Sequence, residues 1–134
     1  MAEAGTKEYR RELMANPDVL TVVRRLVTVH VRRWGLAALA DSVVCCVNEL
    51  LANVDRHTRS PYCVLTLQHQ VDRIRVVVED TSNELPVQKE PDWSALSGRG
   101  LALVDSLADR WGVEPGPIGK SVWFEICVSE VKAP

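Results

Sequence analysis

The spacing of apolar and polar positions predicts two helices in the first half of the chain. Between Pro17 and Gly35 the apolar residues recur every three or four positions. Asn16 precedes them as a good N-cap, and proline is well tolerated at the first helical position. A second stripe of the same kind predicts a helix over Asp41–His57, with Asp41 as its N-cap.

The second half of the chain changes to alternation with a period of two. Segments 62–68 and 71–79 predict an antiparallel pair of strands with one buried face. A last hairpin is predicted from Val113 onward, with a turn rich in proline and glycine at 115–119 and apolar positions alternating over 122–128.

One further helix is predicted between these two pairs of strands. It runs from Leu101 to about Arg110 and ends at Trp111-Gly112. The element order predicts an α+β fold, a two-layer sandwich with helices on one face of a mixed, mostly antiparallel sheet.

Composition limits this picture to one domain over residues 1–134. Sixteen basic and eighteen acidic residues give a net charge of -2, so neither a nucleic acid nor a membrane is expected as a direct partner. The N-terminus carries no apolar export segment, and we expect a cytoplasmic protein. Four cysteines without a C-x-x-C pair favour reduced thiols over disulfides or a structural metal site.

The second predicted helix carries a polar ridge opposite its apolar stripe. Glu49, Asn53 and Arg56 are four and three positions apart, so they share one side of the helix. Asparagine is unfavourable inside a helix. Either Asn53 is tolerated on a solvated surface, or its amide oxygen is needed. The spacing alone favours the solvated surface.

A second candidate site follows the predicted strand that ends near Asp80. Residues 81–97 form a long segment with little periodicity, typical of a lid or of disorder. Gly98 and Gly100 then open a helix, and the N–H groups at a helix start favour phosphate. A flexible hinge is an equally good interpretation of the two glycines taken alone.

Four segments, taken in order, resemble the N, G1, G2 and final boxes of the GHKL ATPase and kinase superfamily. They are Val47–His57, Val78–Thr81, Gly98–Val104 and Gly119–Trp123. The resemblance covers about residues 16–128, which implies that the core of the domain lies within these bounds. Within that superfamily the chain resembles the bacterial anti-sigma factor kinases, ATP-binding domains that phosphorylate a serine or threonine of an anti-anti-sigma protein of the STAS fold. The first G box departs from the D-x-G-x-G pattern, because Asp80 is followed by Thr81-Ser82-Asn83.

The resemblance implies roles for four residues. Asn53 would hold Mg²⁺ through its amide oxygen. Glu49 would be the general base that takes the proton from the attacking hydroxyl. Asp80 would accept a hydrogen bond from the adenine amino group, and the hydroxyl of Ser121 would support that contact.

The remaining residues that the resemblance assigns to the ATP site lie around the phosphates and the lid. For His57 a structural role and a phosphate contact remain equally open. The set is Arg56, His57, Thr81, Gly98, Arg99, Gly100 and Leu101.

The function implied by the resemblance is an ATP- and Mg²⁺-dependent serine/threonine protein kinase that is also an anti-sigma factor. Its expected partners are a STAS-domain protein and a sigma factor, and relatives that pair suggest a homodimer. The alternative is a switch without catalysis, in which nucleotide orders the lid so that a partner is gripped or released. Glu49 counts against that alternative, because a binding module would not need it. A histidine-kinase catalytic domain is less expected, since the chain has no room for a phosphoacceptor helix pair and a sensor.

Overall fold

A computed structural model of the protein describes residues 7–57, 62–80, 100–116 and 119–128. Side chains are described for these residues except 55–57 and 100. The elements are β1 (Lys7–Met14), α1 (Pro17–Arg33), a short 3-10 helix (Ala37–Leu39), α2 (Ala40–His57), β2 (Tyr62–Gln70), β3 (Arg73–Asp80), α3 (Gly100–Leu107), β4 (Arg110–Pro115) and β5 (Lys120–Cys127).

The five strands form one sheet in the order β1-β2-β3-β5-β4, and every neighbouring pair is antiparallel. α2 packs against both α1 and α3 and contacts β3. Alternate residues of the central strands, among them Leu65, Val76 and Phe124, are buried in one core with residues of α1 and α2. The predicted α+β architecture is therefore confirmed, with a sheet that is antiparallel throughout the described strands.

The predicted start of α1 is confirmed in detail. The Asn16 side chain accepts a hydrogen bond of 3.1 Å from the backbone N–H of Val19, and Pro17 is the first helical residue. After the helix, Gly35 adopts a φ of +80°, a conformation that side chains disfavour.

The predicted start of α2 is wrong in its cap. The chain passes through the 3-10 helix directly into Ala40, so Asp41 lies inside the first turn rather than at the N-cap. Because the 3-10 helix continues directly into α2, the helix has no separate N-cap position that Asp41 could occupy. Its carboxylate is still well placed there, since the first turn carries the positive end of the helix dipole.

The segment that runs through most of α2 is long and apolar. Residues Ala37–Val54 have a mean hydropathy of 1.4, enough by length and composition to span a membrane. Core helices of globular domains pass the same test. Here Val47, Leu50 and Leu51 are buried in the shared core.

The end of α3 differs from the prediction. The helix stops at Leu107, and Trp111 and Gly112 belong to β4 rather than to a helix end. Asp109 turns the chain into the sheet, because its backbone N–H donates to Glu125 O and its carboxylate accepts from Cys127 N at 2.7 Å.

β1 was not predicted, and it extends the sheet to Lys7, beyond the expected core boundary at Asn16. Five of its eight residues, KEYRRELM, are charged, so it has no clear apolar alternation. Charged side chains are typical of edge strands, where they oppose pairing with other chains. Only Leu13 is buried within the strand.

The face of the sheet opposite the helices carries a network of charges around Glu125. Its side chain is only 8% exposed and accepts hydrogen bonds from Arg73 at 3.0 Å and Arg75 at 2.8 Å. Arg110 lies 3.8 Å away, and the Arg75 guanidinium sits 4.5 Å above the Trp123 ring. Burial alone raises the pKa of Glu125, but the hydrogen bonds and charges of Arg75 and Arg73 outweigh it and bring the pKa below its ordinary value.

This shift predicts a stability that depends on pH. A carboxylate whose pKa is lowered by folding stabilises the protein above its unfolded pKa, and that contribution is lost as the pH falls through the folded pKa. We expect Glu125→Gln to lower the free energy of unfolding at neutral pH, and the difference from wild type to shrink below about pH 4. Urea denaturation of both proteins over this range measures it.

Glu114→Gln is the control, because Glu114 is exposed on the neighbouring strand. It should leave the pH dependence unchanged. A difference between Glu125→Gln and wild type that stays constant on acidification would contradict the assignment.

Candidate functional site

The first part of the site is the pair of polar residues in the middle of α2. Glu49 is half-buried, and Asn53, one turn later, is only 9% exposed. Leu50 and Val54, next to them in the helix, belong to the core. The interpretation of Asn53 as a solvated surface residue is therefore wrong, and the buried position favours a role for its amide group.

The second part is the end of β3. Asp80 is buried beneath the helices, and its carboxylate accepts a hydrogen bond of 2.7 Å from the Lys120 ammonium. The two side chains are 3% and 20% exposed, respectively. A carboxylate this deeply buried requires a partner of opposite charge, and Lys120 supplies it.

Sequence reasoning placed Ser121, not Lys120, beside Asp80. The strand register pairs Asp80 with Lys120 and Glu79 with Ser121. Because successive side chains of a strand point to opposite faces, Ser121 lies on the face of Glu79, away from the Asp80 carboxylate. The structure therefore does not place Ser121 beside Asp80, where the resemblance puts a supporting hydroxyl. Side chains two positions apart in a strand share a face, and Val122 packs against the core. This alternation was the signal in the sequence that places Lys120, rather than Ser121, on the face of Asp80.

Gly119 brings the start of β5 against the end of β3. A Cβ atom at Gly119 would collide with the Asp80 carbonyl oxygen and lie 2.9 Å from its Oδ1. Glycine is therefore required by close backbone approach at this point. The contact holds Asp80 between β5 and the helix layer.

The third part is the start of α3. The helix begins at Gly100, and Leu101 is 1% exposed within the core, so its side chain anchors the helix and only its backbone can face a ligand. Thr81, Gly98, Arg99 and the predicted lid over 81–97 lie outside the described residues. The same holds for the side chains of Arg56 and His57, which end α2.

Two buried thiols border the acidic groups of the site. Burial, followed by the charges of Cys45 and Glu49, raises the pKa of Cys46 to about 12. Burial, followed by the charge of Asp80, raises the pKa of Cys63 to about 12. All four cysteines are free, and these two are protonated at neutral pH.

One residue of the site carries an oxygen ligand that would suit Mg²⁺. Within the described residues no three His, Cys, Asp or Glu side chains converge. Mg²⁺ takes few protein ligands and completes its shell with water and substrate phosphates. Asn53 is nearly buried, and its amide oxygen is a ligand of the required kind.

Comparison with known proteins agrees with this geometry. The family model of the histidine kinase-like ATPase domain matches residues 13–126. The chain is also similar to the sensor histidine kinase YvfT of Bacillus subtilis (strain 168), 22% identical over 120 residues. The match covers 78% of this chain and 28% of that protein, so the chain spans little more than a quarter of its relative's length.

The chain therefore belongs to the histidine kinase-like ATPase family, within the GHKL superfamily, as its four boxes predicted. Membership implies ATP binding, usually with Mg²⁺, and an ATPase or phosphotransfer activity.

The close approach at Gly119 yields a test of the site. Gly119→Ala should lower the free energy of unfolding by about 1–3 kcal/mol, because the added methyl group overpacks the contact with Asp80. It should also weaken the binding of Mg-ATP. Thermal denaturation and calorimetric titration measure the two effects.

Gly116→Ala is the matched control in the same connection. Its Cβ would meet Gly119 O at 3.5 Å, an ordinary contact. It should change neither stability nor affinity appreciably, and equal losses in both variants would contradict a specific role for Gly119.

Proposed function

We propose that this domain is an ATP- and Mg²⁺-dependent protein kinase that phosphorylates a serine or threonine. The observation that carries the proposal is the pair on α2, in which Glu49 precedes the nearly buried Asn53 by one helical turn. An ATP-binding module without catalysis needs the amide oxygen but not the carboxylate. The resemblance to anti-sigma factor kinases extends the proposal to a STAS-domain substrate and a sigma factor as partners.

In this mechanism the chain positions the reactants and removes one proton. Asp80 selects adenine by accepting a hydrogen bond from its amino group, a position where guanine offers only an acceptor. Bound through Asn53, Mg²⁺ would supply charge neutralisation at the triphosphate oxygens.

Glu49 takes the proton of the substrate hydroxyl as that oxygen forms its bond to the γ-phosphorus. The bond between the γ-phosphorus and the bridging oxygen breaks, and ADP leaves with the electron pair. Positioning and electrostatics account for most of the rate in such transfers.

A second candidate is the ATP-binding part of a histidine kinase. The similarity to the sensor histidine kinase YvfT supports it. In that case the γ-phosphoryl group would go to a histidine rather than to a hydroxyl. The two products differ chemically, because a phosphohistidine is hydrolysed by acid and a phosphoserine or phosphothreonine survives it.

Nucleotide binding is the first prediction. Mg-ATP at a hundred times its dissociation constant should stabilise the protein by about 2.7 kcal/mol, a rise of several degrees in Tm. Asn53→Ala should remove most of the part of this affinity that depends on Mg²⁺. The substitution should not weaken the helix itself, because alanine has a higher intrinsic helix propensity than asparagine. Isothermal titration with and without EDTA measures both.

Asn48→Ala on the same helix is the control and should bind like wild type. Wild-type protein that is folded and shows no binding heat with Mg-ATP would overturn the proposal. Unchanged Mg²⁺ dependence in Asn53→Ala would remove Asn53 from the metal site.

Phosphotransfer is the second prediction. Incubated with radiolabelled Mg-ATP, the protein should transfer acid-stable label to a STAS-domain protein of the source organism. Glu49→Ala should slow labelling by about 10²–10⁴-fold, the usual contribution of a general base. It should still bind ATP.

Asp41→Ala, an exposed acidic residue on the first turn of the same helix, should label at the wild-type rate. Acid-labile label would favour the histidine-kinase candidate. Full labelling by Glu49→Ala would exclude Glu49 as the base.

A further inference from the structure

The pair formed by Asp80 and Lys120 has a property that the proposed function leaves unused. Its two groups lie 2.7 Å apart at the end of the sheet, on the face covered by the helices. Asp80 can only accept hydrogen bonds, and Lys120 can only donate them. The pair therefore presents an acceptor and a donor side by side.

Adenine carries the complementary pattern on one edge. Its amino group donates, and the neighbouring ring nitrogen N1 accepts. Guanine presents the opposite order, with a carbonyl acceptor beside an N–H donor. Proteins that recognise a single base read this same edge by paired hydrogen bonds.

The ammonium of Lys120 has the capacity for a second bond. It carries three N–H donors, and one of them goes to Asp80 Oδ2. Within the part of the chain that the structure describes, Asp80 is the one side chain that accepts a hydrogen bond from this ammonium. The Lys120 side chain is 20% exposed and the Asp80 side chain 3%, so the lysine is the more accessible side chain of the two.

From this juxtaposition we propose that Lys120 is a specificity-determining residue that donates a hydrogen bond to N1 of adenine while Asp80 accepts from the adjacent amino group. The inference rests on the proposed ATP site. It adds a second, charged contact, so that adenine is recognised by two hydrogen bonds of opposite direction. A site built around such polar groups discriminates strongly, because a wrong base leaves both groups unpaired.

The alternative role for Lys120 is charge compensation alone. A buried carboxylate needs a counter-charge whether or not a ligand is bound. Affinity for ATP by itself does not separate the two roles, since loss of the lysine also disturbs Asp80. The experiment must therefore compare two ligands whose binding is affected equally by any disturbance of Asp80.

A ligand that lacks only N1 provides that comparison. In 1-deaza-ATP a C–H group replaces N1, and the amino group that Asp80 would bind is retained. Wild-type protein should bind Mg-ATP about 10-fold to 100-fold more tightly than Mg-1-deaza-ATP, the range for one hydrogen bond to a charged group. In Lys120→Met the two affinities should agree within about 2-fold, since methionine has no donor.

If the substitution disturbs Asp80, the affinities for Mg-ATP and Mg-1-deaza-ATP fall by the same factor, so their ratio does not change. Lys120→Arg keeps a charged donor and should retain a preference for ATP. Lys7→Met removes a lysine at the far edge of the sheet, on β1, and should keep the wild-type ratio. Circular dichroism of each variant establishes that it is folded.

Equal binding of the two nucleotides by wild type would overturn the inference even if Lys120→Met did not fold. A preference for ATP that persists in folded Lys120→Met would leave Lys120 with charge compensation only. In both cases ATP binding by wild type would still stand. Failure of wild type to bind either nucleotide would instead overturn the proposed ATP site, and this inference with it.

Discussion

Burial of the apolar side of α2 is the constraint on which the rest of the protein depends. Val47, Leu50 and Leu51 pack into the core that the sheet shares with α1 and α3. Once these residues are buried, helical geometry fixes where Glu49 and Asn53 lie, one turn apart on the same helix. The stability of the fold and the position of the candidate catalytic pair therefore come from the same packing interaction.

The end of the sheet adds a second constraint, which is electrostatic. Asp80 is buried because the register of β3 carries alternate residues into the core, and its charge is tolerated because β5 brings Lys120 opposite to it. Gly119 permits the backbone approach that this arrangement needs. The charged pair thus belongs to the architecture of the sheet, in addition to the role in base recognition that we propose for it.

Local patterns predicted most elements, since each is recorded in neighbouring residues. Helical spacing with Asn16 as a cap gave the correct start of α1, and period-two alternation gave the central strands. The errors occurred where local signals were absent or misleading. β1 is too highly charged to look like a strand, and the α3 prediction extended helical spacing into residues that pair with β5.

The sequence by itself determined the family, the order of the boxes and the chemical types at Glu49, Asn53 and Asp80, because these are local features of residue type and spacing. The partner of Asp80 was decided only by tertiary structure. Lys120 lies forty positions away in the sequence, and its place beside Asp80 depends on the register between β3 and β5. If that register shifted by one residue, Ser121 could take the place of Lys120. Such a register is set by pairing across the sheet and by packing against the helices, which no local pattern contains.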